Sequence, residues 1–216
     1  MTVQGVAVAY LSWLRSTVGL SLGRMTTSAF CQMYVRPFTW RSSSSVAEQL
    51  MARGDTAQHV GEATWFVSHT WSNAFADTLD AVLLFFEGRD DAASAKVWFD
   101  VMVTSQHTSV GPSKPSSWWM NTFKDSIAHI GGLLLVVDAW DNPTALRRAW
   151  LVHVVFCMRV VHLCLFSHTA THDYVTVLQV CAGVACDCEQ EGGGRRQICG
   201  RHDGAGESAL FGRYFK

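Results

Sequence analysis

Charge is scarce in this chain. Charged residues make up 16% of its 216 residues, and the formal net charge is −1. That near balance gives no electrostatic reason to expect nucleic acid or an anionic membrane surface as a partner. A basic stretch ahead of the apolar run at residues 5–14 is also missing, so that run reads as an amphipathic helix and not as a signal peptide. Cysteine is nearly absent from the first 156 residues, where Cys31 stands alone; the other six lie between Cys157 and Cys199. An odd count without a secretory signal argues for reduced thiols, and the expected compartment is cytoplasmic. No internal repeat is present. Gly192-Gly193-Gly194-Arg195-Arg196 is not a phosphate loop, because no strand precedes it and no Lys-Ser/Thr follows. The apolar stretch at residues 149–166 has the length of a membrane span. It carries His153, Arg159 and His162, each costly in hydrocarbon, so a membrane is not expected.

What is abundant is apolar and aromatic. Hydrophobic residues reach 49%, with nine Trp, which is ample for a core. With so little charge beside it, part of that aromatic surface suits contact with another protein.

The patterning divides the chain into three parts. Residues 1–62 read as a lead-in of short helices. Thr26-Thr27-Ser28 caps one that runs through Phe30, Cys31, Tyr34 and Val35 and that Pro37 ends. Ser45-Val46-Ala47-Glu48 is a capping box opening a second, which carries Val46, Leu50 and Met51. Residues 63–150 read as an α/β domain. A strand at 64–67 is followed by Phe75, Leu79, Val82, Leu83 and Phe86 on one helix face. Gly88-Arg89-Asp90-Asp91 is a turn, and a second strand spans 96–103. A Ser/Pro-rich loop at 104–117 precedes a helix with Trp119, Phe123, Ile127 and Ile130 on one stripe. The run at 133–137 is uninterrupted, as suits a central strand covered on both faces. A third helix starts at Asp141-Asn142-Pro143-Thr144. Strand–helix alternation at this spacing predicts parallel strands with right-handed crossovers. Residues 151–216 lose the pattern and read as a divergent, poorly ordered region. Strands at 160–166 and 174–180 lie too close for a helical crossover and would pair as a hairpin or not at all. Residues 186–208 read as a tail.

The ordered set Ala-Thr-Trp-Phe-Val-Ser-His-Thr-Trp, Val-Trp-Phe-Asp, Phe-Lys-Asp-Ser-Ile-Ala-His-Ile, Leu-Leu-Leu-Val-Val-Asp and Leu-Arg-Arg-Ala-Trp resembles the Toll/interleukin-1 receptor (TIR) domain family, more closely its divergent algal and protist type. The resemblance covers residues 63–150. It implies a flavodoxin-like three-layer sandwich, mainly parallel, with strand order 2-1-3-4-5, here incomplete at its C-terminal end. It implies a protein–protein interaction module in intracellular signalling, with other proteins or a second copy as partners and no cofactor. The alternative is an NAD glycohydrolase or nucleotide-binding enzyme, with NAD as substrate. That activity uses the Glu of a Trp-Cys-x-x-Glu motif. Here Trp150 matches, but Leu151 and Val154 occupy the Cys and Glu positions, and an apolar residue cannot stabilise a developing ribosyl cation. A third reading is an inactive, degenerate fragment.

Candidate ligand residues gather where the strands end. Ser68 and His69 close the first strand, Asp100 lies in the second and Asp138 follows the third. On one sheet edge they would reach a ribose or a cation. Adjacent in sequence, Ser68 and His69 diverge and do not form a nucleophile–base pair; helix capping by Ser68 or Ser72 and burial of His69 is the plainer reading. Trp118 and Trp119 follow the Ser/Pro loop, which in the TIR resemblance is a self-assembly surface. They are interface candidates, Trp119 also falling on a buried stripe. No metal is expected. Cys186, Cys188, Cys199 and His202 could supply four zinc ligands, but a Cys-x-Cys pair is tighter than the usual hooks.

Overall fold

A computed structural model describes residues 3–54, 56–107, 126–127, 129–130 and 132–137, together with the strand backbones at 162–170, 173–181 and 198–201. Strand β1 (Gln4–Ala7) leads directly into helix α1 (Val8–Leu22). Helix α2 (Thr27–Phe30), a π-helical turn (Cys31–Val35) and α3 (Arg36–Thr39) form one continuous helical rod. Helix α4 (Val46–Ala52) and a 3₁₀ turn (Ala57–His59) precede β2 (Val60–Glu62). Then come β3 (Trp65–Ser68), α5 (Phe75–Phe86), β4 (Lys96–Phe99), the single turn α6 (Asp100–Val103) and β5 (Gly132–Val137). Strands β6 (His162–Ala170), β7 (Asp173–Cys181) and β8 (Ile198–Arg201) follow.

All the described strands lie in one sheet of order β2-β1-β4-β3-β5-β7-β6-β8. Its centre is the expected one: β4, β3 and β5 are parallel, with Phe66 opposite Trp98 on one side and Leu133 on the other. These are the three strands expected from the sequence, in the order second–first–third. The expectation of a mainly parallel sheet is corrected, since every other pairing is antiparallel. Connection length is the reason for the hairpin: two residues join β6 to β7, and so short a link permits only an antiparallel pair. Strand β7, antiparallel, lies against β5, at the edge that the order 2-1-3-4-5 would give to a fourth parallel strand.

Side chains alternate across the central strands and bury both faces. On one face Trp65, Val67, Val97, Phe99, Leu134 and Val136 pack against α1, α2, α4 and α5. On the other Phe66, Trp98 and Leu133 pack with Ala63 and Ile127, the Phe66 and Trp98 rings stacked 4.3 Å apart. Sheet with helical cover is therefore an α/β arrangement. Helices α1 and α5 are joined by a bidentate pair, Arg15 to Asp80 at 2.7 and 2.8 Å. The capping box forms as expected: the Glu48 amide donates to Ser45 Oγ at 3.1 Å, and the Ser45 amide donates to the Glu48 carboxylate at 2.7 Å.

Several boundaries differ from the sequence reading. Residues 5–7 are strand, not helix. Gly5 permits it, because a Cβ there would lie 2.9 Å from the Val97 backbone on β4. The lead-in thus supplies two strands to the sheet and much of the main core. Pro37 does not end its helix. The π turn passes the Arg36 amide back to the Cys31 carbonyl, five residues away, and Pro37 falls in the first turn that follows, where no donor is required. Strand β4 stops at Phe99, because the Asp100 carbonyl accepts from the Thr104 amide and hydroxyl and turns the chain into α6. Residues 162–166 belong to β6, so a single helix does not run from 149 to 166. Residues 198–201, expected in a tail, pair with β6. The helix expected to start at 141 and the loop at 108–117 lie outside the described residues. Among the described residues no helix is long and apolar enough to cross a membrane.

Candidate functional site

The carboxyl ends of β3 and β4 lie side by side, one strand away from the point between β3 and β5 where the strand order reverses, the usual ligand position in an open α/β sheet. Here that edge is filled by the chain's own side chains. Ser68, His69 and Thr70 are all buried as β3 ends. The His69 ring lies edge-on to Phe99, 4.8 Å away, and near-parallel to Trp71 at 6.4 Å. Its Nδ1 faces the Asp100 carboxylate at 3.8 Å, too long for a hydrogen bond but close enough for a charge to be felt.

Asp100 is the hub. Trp71 Nε1–H donates to Oδ2 at 2.8 Å, and the Val101 amide donates to Oδ1 at 2.7 Å. Its backbone carbonyl accepts from the Gln106 side-chain amide at 3.0 Å. Both carboxylate oxygens are thus engaged with donors of the protein. The loop after β3 is also tied to α2: the Thr27 amide donates to the Asn73 carbonyl and the Ser28 amide to the Trp71 carbonyl. Beneath it sits Cys31, the first residue of the π turn. Burial pushes its thiol up to about 11, and the negative Asp100 adds to that while Arg36 opposes it. A thiol so held is protonated at neutral pH and is no nucleophile.

A second buried polar pair stands beyond α6. Thr39 Oγ1 donates its one hydrogen to the Val35 carbonyl at 2.8 Å, so His107 Nε2, also 2.8 Å away, must be the donor to Thr39. The pair fastens the segment after α6 to α3.

The structure therefore brings His69 and Asp100 together, with Ser68 buried beside them at the end of β3, and the clasp that closes this edge is the Trp71–Asp100 bond. Asp138, Trp118, Trp119, Cys186, Cys188 and His202 lie outside the described residues, and Cys199 is described only as backbone of β8. Among the described residues no group of three or more His, Cys, Asp or Glu could hold a metal ion. Sequence reasoning missed Trp71 as the donor to Asp100. The signal was a Trp three residues past the end of one strand and an Asp directly after the end of the next. It also missed Thr39 with His107, for which 68 intervening residues leave no local sign.

Comparison with protein-family models, with curated proteins and with solved structures finds no match to the chain.

Proposed function

We propose that the chain is a TIR-like protein–protein interaction module of cytoplasmic signalling, acting without a cofactor. The resemblance in residues 63–150 and the second–first–third order of the central parallel strands support the TIR-like part. The observation that carries the interaction role is the placement of exposed apolar bulk. Trp13, Met33, Phe38, Trp40 and Met51 are the large apolar side chains left exposed among the described residues, and all come from α1 to α4. Five such residues drawn from one helical region offer apolar bulk that a partner can cover, and Trp is the residue type that most often dominates binding energy. At the sheet edge, by contrast, each Asp100 carboxylate oxygen already accepts a hydrogen bond from within the protein.

One observation favours the second reading, a nucleotide-binding or NAD-cleaving edge: the Asp100 side chain keeps 24% of its surface exposed at the carboxyl edge of the sheet, one strand from the switch point. Incubation of the purified chain with NAD separates the two. An interaction module releases no nicotinamide above a protein-free blank. Release that disappears in His69→Ala or Asp138→Ala reverses the ranking.

A further inference from the structure

The exposed helical surface has a chemical bias that points to its partner. The lead-in, residues 1–62, holds five arginines against three acids, Glu48, Asp55 and Glu62, whereas the whole chain is balanced at 17 basic and 18 acidic residues. Glu48 is occupied by the capping box and Arg15 by Asp80. No lysine precedes Lys96, so every cation on this region is a guanidinium. Arginine offers a planar fork that matches a carboxylate with two hydrogen bonds, which an ammonium does not.

The geometry joins one of these arginines to the exposed rings. The Arg53 guanidinium lies 5.0 Å over the Phe38 ring, and it is near enough to Tyr10 for its charge to oppose the burial that raises that phenol. Tyr10 in turn stacks on Trp13 at 5.5 Å and meets His59 at 5.8 Å. Met51, exposed, stands two residues before Arg53. Trp13, Tyr10, His59, Arg53 and Phe38 thus form one strip that runs from α1 past the end of α4 to α3. Aromatic, Met and Arg enrichment with Lys, Asp and Glu depletion is the composition of a protein interface core.

We infer that this strip docks an acidic segment of a partner protein, its apolar anchors lying on Trp13 and Phe38 and one of its carboxylates on the Arg53 fork. The inference rests on the interaction-module reading and adds the partner's chemistry.

The test uses the full-length chain and a labelled helical peptide with leucine on one face and glutamate on the other. The control peptide carries lysine in place of glutamate. Fluorescence anisotropy should show saturable binding of the glutamate peptide only, weakening as salt is raised. Arg53→Glu and Phe38→Ser should each weaken it about tenfold or more, Arg53→Lys by less, and Asp90→Ala, on a distant turn, not at all. Circular dichroism melts identify any variant that fails to fold, and since Arg53 and Phe38 lie on different elements either one alone keeps the test open. Equal binding of the two peptides, or no effect of either substitution, overturns the inference. So does tighter binding to phosphatidylserine vesicles or to a single-stranded oligonucleotide than to the glutamate peptide. Light scattering of the chain alone and with its cellular binding partners tells the two failures apart. Association that persists while the glutamate peptide fails removes only the acidic-partner inference; loss of both removes the module reading as well.

Discussion

The indole–carboxylate bond that closes the end of β3 onto β4 has a size that can be measured. Trp71→Phe deletes the Nε1–H donor and leaves a ring in place beside His69. A hydrogen bond to a charged acceptor contributes about 1.5–3 kcal/mol. The Asp100 side chain is 24% exposed, so water can replace part of the lost donor, and the cost should fall near 1–2 kcal/mol. Asp100→Ala removes the same bond together with the Val101 amide contact, so its cost alone is not informative. Combining both substitutions isolates the shared term. Urea unfolding of the four proteins, followed by far-ultraviolet circular dichroism, should give a coupling of about 1 kcal/mol or more, roughly fivefold in the folding equilibrium. Additivity to within about 0.3 kcal/mol would refute the clasp, because two groups that share a bond at 2.8 Å cannot act independently.

Three further outcomes follow from the same geometry. Gly132→Ala would set a Cβ 2.7 Å from the Trp65 ring, which is held edge-on by Phe85 and Phe86; a loss of about 1–3 kcal/mol in urea unfolding is expected, and an unchanged midpoint contradicts the packing. Thr39→Val leaves the buried His107 donor without its acceptor and should cost about 1–3 kcal/mol, with Thr39→Ser restoring most of it; equal losses in both variants would count against the hydroxyl contact. Cys31 carries a thiol raised to about 11 in the native chain, above its unfolded value, so its contribution is complete below about pH 8.5 and is lost as pH climbs toward 11. Wild type should therefore lose stability relative to Cys31→Ala across that window, and parallel pH profiles would show that the thiol is not perturbed.

Much of the central fold was legible because its signals are local. Phe75, Leu79, Val82 and Phe86 repeat at helical spacing, and all four are buried on α5. Leu133 to Val137 form an unbroken apolar run, and that run is a fully buried strand paired on both sides. Ser45 with Glu48 is a spacing rule, and the reciprocal bonds are there. The failures share a cause: each depended on a partner distant in sequence. Residues 4–7 carry no strand signature of their own and become strand because β4 and β2 offer ladders on either side. Pro37 reads as a helix end from its own chemistry, and only the π turn before it explains its tolerance. The site divides in the same way. Strand ends point to Ser68, His69 and Asp100 at one edge, yet how that edge is closed depends on Trp71, whose indole donates to Asp100 from 29 residues away. A motif shows which residues reach an edge; hydrogen bonds decide whether the edge stays open.

The account rests on the α1–α4 surface acting as a binding face while the sheet edge stays structural. Cross-linking in the cells that make the chain, with wild type compared against a Phe38→Ser/Trp40→Ser double variant, tests this most directly. Both residues are exposed, so the variant should melt like wild type. The account predicts that specific cross-linked partners are recovered with wild type and lost with the variant. Recovery of the same partners by both proteins would contradict it.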